Sequence, residues 1–180
     1  MGSSRWAREH AAALLRELPT RWTHTEAVAE RARIVAEALR LKREGDVLVA
    51  AAYVHDIGYG SDLRRIGFHP LDGATHLREL GHERLARLVA YHSGSWWEAK
   101  LLGFSMNLAA FQPEVSVIAD ALTYCDMTTG PTGERLTLAE RLDDIERRHG
   151  SASPVMQAMK GAQPELERSV AVIEAALRAS

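Results

Sequence analysis

Apolar positions recur three and four residues apart along nearly the whole chain, and the strict alternation of a half-buried strand is nearly absent. This periodicity predicts a helix over residues 5–18, stopped by Pro19, and a longer one over 21–44, closed by Gly45. Asp46 can cap a third over 47–56, which ends as Gly58 and Gly60 arrive. The stretch "YGSDLRRIGFHP" reads as a loop with one helical turn, and helices are expected again over 70–80, 83–92 and 95–102. Pro113 at a first helical position opens another that runs to Asp126. After the Gly/Pro-punctuated loop "MTTGPTGER", Thr137 and Glu140 have the spacing of a capping box for a helix to His149. Two more helical segments complete an all-α chain.

Four of the apolar stripes carry a ligand-type residue at one end. His24 begins the series Val28, Ala32, Val35, Leu39. His55 closes Leu48, Ala51, Ala52, with Asp56 one residue further round. His92 closes Leu85, Leu88, Val89, and Asp126 closes Val115, Ala119, Leu122. A residue that continues a buried stripe points inward, and a buried carboxylate without a partner is expensive. A shared metal site satisfies all four helices at once. A hydrogen-bonded core histidine is the competing reading for each residue taken alone. His10, His82 and His149 stand beside charged residues and read as surface.

Composition narrows the class without changing this picture. The 180 residues are 46% hydrophobic and 26% charged with a net charge of −2, which suggests neither a nucleic-acid surface nor a polybasic membrane patch. The single cysteine, Cys125, excludes an internal disulfide and fits a reducing compartment. The first residues lack a sustained apolar core, and the longest apolar run, 47–54, is far short of a membrane span. A soluble, cytoplasmic protein is the expectation.

The string "HDIG" at 55–58 arises by chance roughly once in a thousand chains of this composition. There the sequence resembles the HD superfamily of metal-dependent phosphohydrolases, whose ligands are a His, a later His-Asp pair, further histidines where two metals bind, and a distal Asp. The segments match in order: "RWTHTEAVAERA" with His24, "VHDIGYG" with His55 and Asp56, "GFHPLDGATHL" with His69, "LVAYHSG" with His92 and "ALTYCDMTTGP" with Asp126. The resemblance covers about residues 20–130. It implies one HD-type helical domain over 1–180, with helices of 137–180 packed on the motif region. Asp120 competes with Asp126 for the distal role and His76 with His69; the more apolar stripe favours Asp126 and the following Pro70 favours His69.

The resemblance implies a hydrolase acting on a small phosphorylated substrate, perhaps a nucleotide, with His55 and Asp56 at the catalytic centre. One or two divalent transition ions are implied, and mixed N/O donors admit Mn, Fe, Ni, Co or Zn. Arg64, Arg65 and Lys100 are candidate contacts to the substrate phosphate, and Trp96 or Trp97 could wall a pocket. Many relatives carry a basic residue after "HDIG", where this chain has Tyr59. That departure raises one alternative, a di-iron oxygenase; a second, a metal-stabilised binding module without turnover, is opposed by the intact ligand set.

Overall fold

A computed structural model describes residues 3–180 as helices joined by short turns. They are α1 (Ser4–Leu14), α2 (Pro19–Ala38), α3 (Arg43–Val54), α4 (His69–Glu79), α5 (Glu83–Tyr91), α6 (Ser95–Leu102), α7 (Ser105–Ala109), α8 (Val117–Met127), α9 (Leu138–His149) and α10 (Pro154–Ala179). Short 3-10 turns cover Ile57–Tyr59, Ser61–Leu63 and His92–Gly94. The described residues form no strand beyond an isolated bridge between Thr129 and Arg135. No helix among them is long and apolar enough to cross a membrane.

Side chains start many of these helices. The hydroxyls of Ser3, Ser116 and Ser153 each accept a first-turn N–H at the heads of α1, α8 and α10. Thr137 and Glu140 close the expected reciprocal capping box on α9. Pro19, Pro70 and Pro154 occupy first turns, where the missing N–H has no intrahelical acceptor to lose.

The helices α2 and α3 pack along each other, α1 lies on α3, α4 on α5, and α8 sits between α3 and α10. A large core joins residues such as Val28, Leu48, Ile57, Leu77, Val89 and Leu122. A smaller one, built from Met127, Ile145, Met156, Met159, Ala162 and Leu166, ties α9 and α10 to the end of α8. The cleft described below opens where these two cores meet.

Several boundaries differ from the sequence expectation. The second helix ends at Ala38, because Arg40 and Lys42 adopt left-handed φ values of 52° and 49°. Gly45 therefore lies inside α3 rather than closing α2. A Cβ there would meet the Cβ of Ala36 at 3.0 Å, so this glycine serves the close approach of two helices. Asp46, also inside α3, accepts from the Ser4 main-chain N–H at 3.1 Å instead of capping its own helix. Pro113 opens no helix: α8 starts four residues later at Val117, behind its Ser116 cap, and Val115 is almost fully exposed outside the stripe it was expected to begin. The last two expected segments are one helix. It continues through Pro164 because Ala158, Met159, Ala162, Leu166, Val170 and Ile173 bury a single face on both sides of the proline.

Candidate metal centre

The turns of this bundle gather six donor side chains. His55 and His92 stand immediately after the last residues of α3 and α5, Asp126 lies in the last turn of α8, and His69 opens α4. His24, in the second turn of α2, and Asp56, after His55, complete the set. Two triads of donor atoms result, each with all members within 4.8 Å of one another: His24, His55 and Asp126, and Asp56, His69 and His92. Asp56 joins them. Its Oδ2 lies 3.3 Å from His55 Nε2 and 4.0 Å from His24 Nε2, while its Oδ1 lies 3.4 Å from His69 Nε2.

The turn that carries Asp56 depends on Gly58. A Cβ at that position would fall 2.0 Å from the main-chain oxygen of His69 and 2.7 Å from the nitrogen of Gly73. Only glycine lets this turn lie against the start of α4, and that contact places His69 opposite Asp56. A second local constraint lies at Ser93, which holds a left-handed φ of 50° directly after His92. Its hydroxyl donates to Asp126 Oδ2 and so orients that carboxylate.

Three imidazoles are fixed through their far nitrogens. Nδ1–H of His24 donates to Gly130 O at 3.0 Å, that of His55 to Ala52 O at 2.7 Å and that of His92 to Val89 O at 2.6 Å. Each Nε2 is left as the inward donor, an anchoring that metal-ligating histidines commonly show. His24 Nε2 lies 3.0 Å from Asp126 Oδ1, so the two atoms face each other directly across the cluster. His55 Nε2 is buried without a hydrogen-bond partner, although two carboxylates face it. Two buried carboxylates packed among imidazoles draw in positive charge, supplied in part by Arg21, and the mixed N/O donor set suits a divalent transition ion.

The titrating groups show the same pull of the two carboxylates for positive charge. Burial pulls the His55 pKa down, but the facing Asp56 and Asp126 carboxylates overcome it and raise it to about 9. Burial pushes Asp56 up, yet Arg21 and His55 together hold its carboxyl well below the ordinary range. Asp126 is likewise held low against burial, by the His24 hydrogen bond and the nearby His55. His69 is lowered to about 3, chiefly by burial, which keeps its imidazole neutral and its lone pair available. The C-terminal ends of α3, α5 and α8 also point their partial negative charge toward the centre.

A family model described as HD domain matches residues 21–151 of the chain. The chain belongs to the HD domain family. The match spans all six gathered residues and the whole of α9. The family is of the metal-dependent phosphohydrolase type, and HD domains bind divalent metals. Comparison with curated proteins and with solved structures finds no match.

Within this HD domain the competing residues lie elsewhere. Asp120 pairs with Arg168 at 2.7 Å on the α8–α10 surface, and His76 meets His10 on the far side of α4. Of the three cations expected at the substrate, only Arg64 lines the cleft. Arg65 is held away by a two-pronged pair with Glu79, at 2.6 and 2.8 Å. Lys100 is exposed, with its ammonium 5.6 Å from the centre of the Trp97 ring. Trp97 packs on the smaller core, and Trp96 is partly exposed over a separate hollow between α5, α8 and α10. Cys125 is fully buried, and burial raises its thiol pKa, as expected for an unreactive core residue.

Two cations at the site escape sequence reading. Arg21 Nη1 donates to Asp56 Oδ2 at 2.8 Å, and its guanidinium lies 4.1 Å over the Tyr59 ring. The signal was present, because Arg21 lies one turn before His24 on the same face of α2. Arg141, buried on α9, brings Nη2 to 3.9 Å from Asp126 Oδ1. No local pattern links it to a carboxylate on another helix.

Proposed function

We propose that this HD domain is a metal-dependent hydrolase of small phosphate esters, with Asp56 shared between two metal subsites. The carrying observation is the division of the Asp56 carboxylate, one oxygen toward His24 and His55 and the other toward His69. His24, His55 and Asp126 would hold one ion with Asp56, and His69 and His92 a second. Such ions, when bound, supply Lewis acidity, acidifying water toward neutral pH and drawing charge from a phosphoryl group.

The chain's own residues supply the rest of the reaction environment. Arg21 provides a fixed positive charge beside Asp56, suited to a phosphoryl oxygen whose charge grows during in-line displacement. Its position answers the departure at Tyr59: a cation is present at the mouth of the site, contributed by α2 instead of the loop. This supports hydrolysis over oxygen activation. Tyr59 stacks on His69 with ring centroids 4.0 Å apart, and burial raises its pKa, so the phenol stays protonated and can donate a hydrogen bond. Met127, Ile145, Val155 and Met159 form an apolar wall that limits water beside the reacting group.

The test is phosphate release from p-nitrophenyl phosphate and from a panel of small phosphate esters, after reconstitution with Mn, Fe, Co, Ni or Zn. Dioxygen uptake is followed in parallel. The expected result is metal-dependent phosphate release that disappears in Asp56→Asn. Dioxygen uptake without phosphate release would contradict the reading.

A further inference from the structure

The cleft has two lobes. The inner one lies over Asp56, His69, His92 and Asp126; the outer one runs past His24 toward Glu17, Pro19, Arg64 and Pro131. Arg21, Tyr59, Arg141 and Arg148 line both. Arg21 is neutralised by Asp56, but the cations further out are not matched one to one. One carboxylate, Asp144, is shared by Arg141 at 3.3 Å, Arg147 at 3.4 Å and Arg148 at 2.9 Å, and Arg141 has besides it only the longer 3.9 Å approach to Asp126. Arg64 forms no ion pair among the described residues. The acidic residue on this lobe, Glu17, is exposed and lies 3.9 Å from Arg16.

Arg141 is the most informative of these groups. It is buried to 6% exposure, lines both lobes, and leaves Nε without any acceptor in the protein. A buried guanidinium with an unspent donor is costly unless an anion completes it. The surplus charge is local, on a chain of net charge −2, so it suits a small anion better than a long polyanion.

We propose that the substrate carries a second anionic group, a phosphate or carboxylate, which Arg64, Arg141 and Arg148 hold in the outer lobe while the scissile phosphate sits over the metal centre. The inference rests on the phosphohydrolase reading and narrows its substrate class to small doubly anionic esters. Guanidinium forks match carboxylate and phosphate oxygens and bind them by charge-assisted hydrogen bonds.

The test uses non-hydrolysable probes on the full-length protein. Binding of straight-chain α,ω-diphosphonates of three to six carbons is compared by calorimetry with the alkylphosphonates of the same length. Metal content is recorded on the same samples. The best diphosphonate is expected to bind about tenfold more tightly than its monophosphonate partner. In the double variant Arg64→Gln, Arg148→Gln, both exposed positions, that advantage falls below about threefold with metal content unchanged. A diphosphonate series with no advantage, or an advantage that survives the double variant, overturns the outer-lobe assignment. Loss of the metal reading would show separately, in the metal content.

Discussion

Two groups of histidines in this molecule make a natural comparison. On the outside of the bundle, His10 and His76 face each other across α1 and α4 with Nε2 atoms 2.8 Å apart and rings parallel within 1°. Trp6 packs between His10 and His82 beside them. At the candidate metal centre, neighbouring imidazoles meet edge to face, with centroids 5.3–5.6 Å apart, around two buried carboxylates. The outer pair is satisfied by one shared proton. In the inner set, His24, His55 and His92 commit Nδ1–H to main-chain carbonyls and turn Nε2 inward, and His24, His55 and His69 bring Nε2 to within 3.0–3.4 Å of a carboxylate oxygen. Proximity of histidines is therefore a weak sign of a metal site. Anchored far nitrogens together with facing carboxylates are a strong one.

The largest effect that would separate the two regions comes from Asp56→Ala. Removing the shared carboxylate should abolish metal binding and phosphate release together, measured by elemental analysis and turnover. The double variant His10→Gln, His76→Gln should leave both intact. A next, smaller contrast lies along α8. Loss of an outer-sphere partner typically weakens metal affinity by about 10–100-fold, so Asp126→Ala should exceed about a hundredfold in a competitive chelator titration. Asp120→Ala, which breaks a surface pair, should cost about 0.5 kcal/mol of stability and no metal.

These contrasts also mark what the sequence makes legible. His24, His55, His92 and Asp126 each sit at one end of an apolar helical stripe, a local pattern that survives without knowledge of tertiary structure. Asp56 follows from its neighbour, whereas His69 lies at the head of its helix and is found only through the resemblance at "GFHPLDGATHL". Arg141 and Ser93 act on Asp126 across distant parts of the chain, so no spacing points to them. Helix boundaries fail where tertiary packing outweighs a local signal. Gly45 has the look of a helix stop but serves the α2–α3 crossing, and Pro164 has the look of a break but lies within a helix buried along one face. The capping box at Thr137 is legible because both partners lie within one turn.

An intermediate effect is expected at Gly58. Gly58→Ala drives a Cβ into the main chain of His69 and should destabilise the fold by about 3 kcal/mol in urea titrations, with metal content falling as His69 moves. The smallest effect belongs to the outer histidines. Burial first, and then His76 and His82, lower the pKa of His10 from 6.5; burial also lowers that of His76. Their folded pKa values lie below the unfolded value, so the unfolded chain takes up more protons as pH falls. The stability contributed by this pair is full above pH 6.5 and is lost as pH drops below it. Wild-type protein kept metal-loaded should lose more stability than His10→Gln, His76→Gln over that window, by a small amount because both rings are partly solvent-screened. Parallel stability-pH curves for the two proteins would show that the pair does not titrate in this way.

The most direct test of the central claim is the transition-metal content per chain of the purified, reconstituted protein, read by elemental analysis beside the Asp56→Ala variant. The account predicts about two ions in the wild-type chain and a loss of both in the variant. A wild-type chain that stays metal-free after reconstitution, or a variant that keeps its full complement, would contradict it.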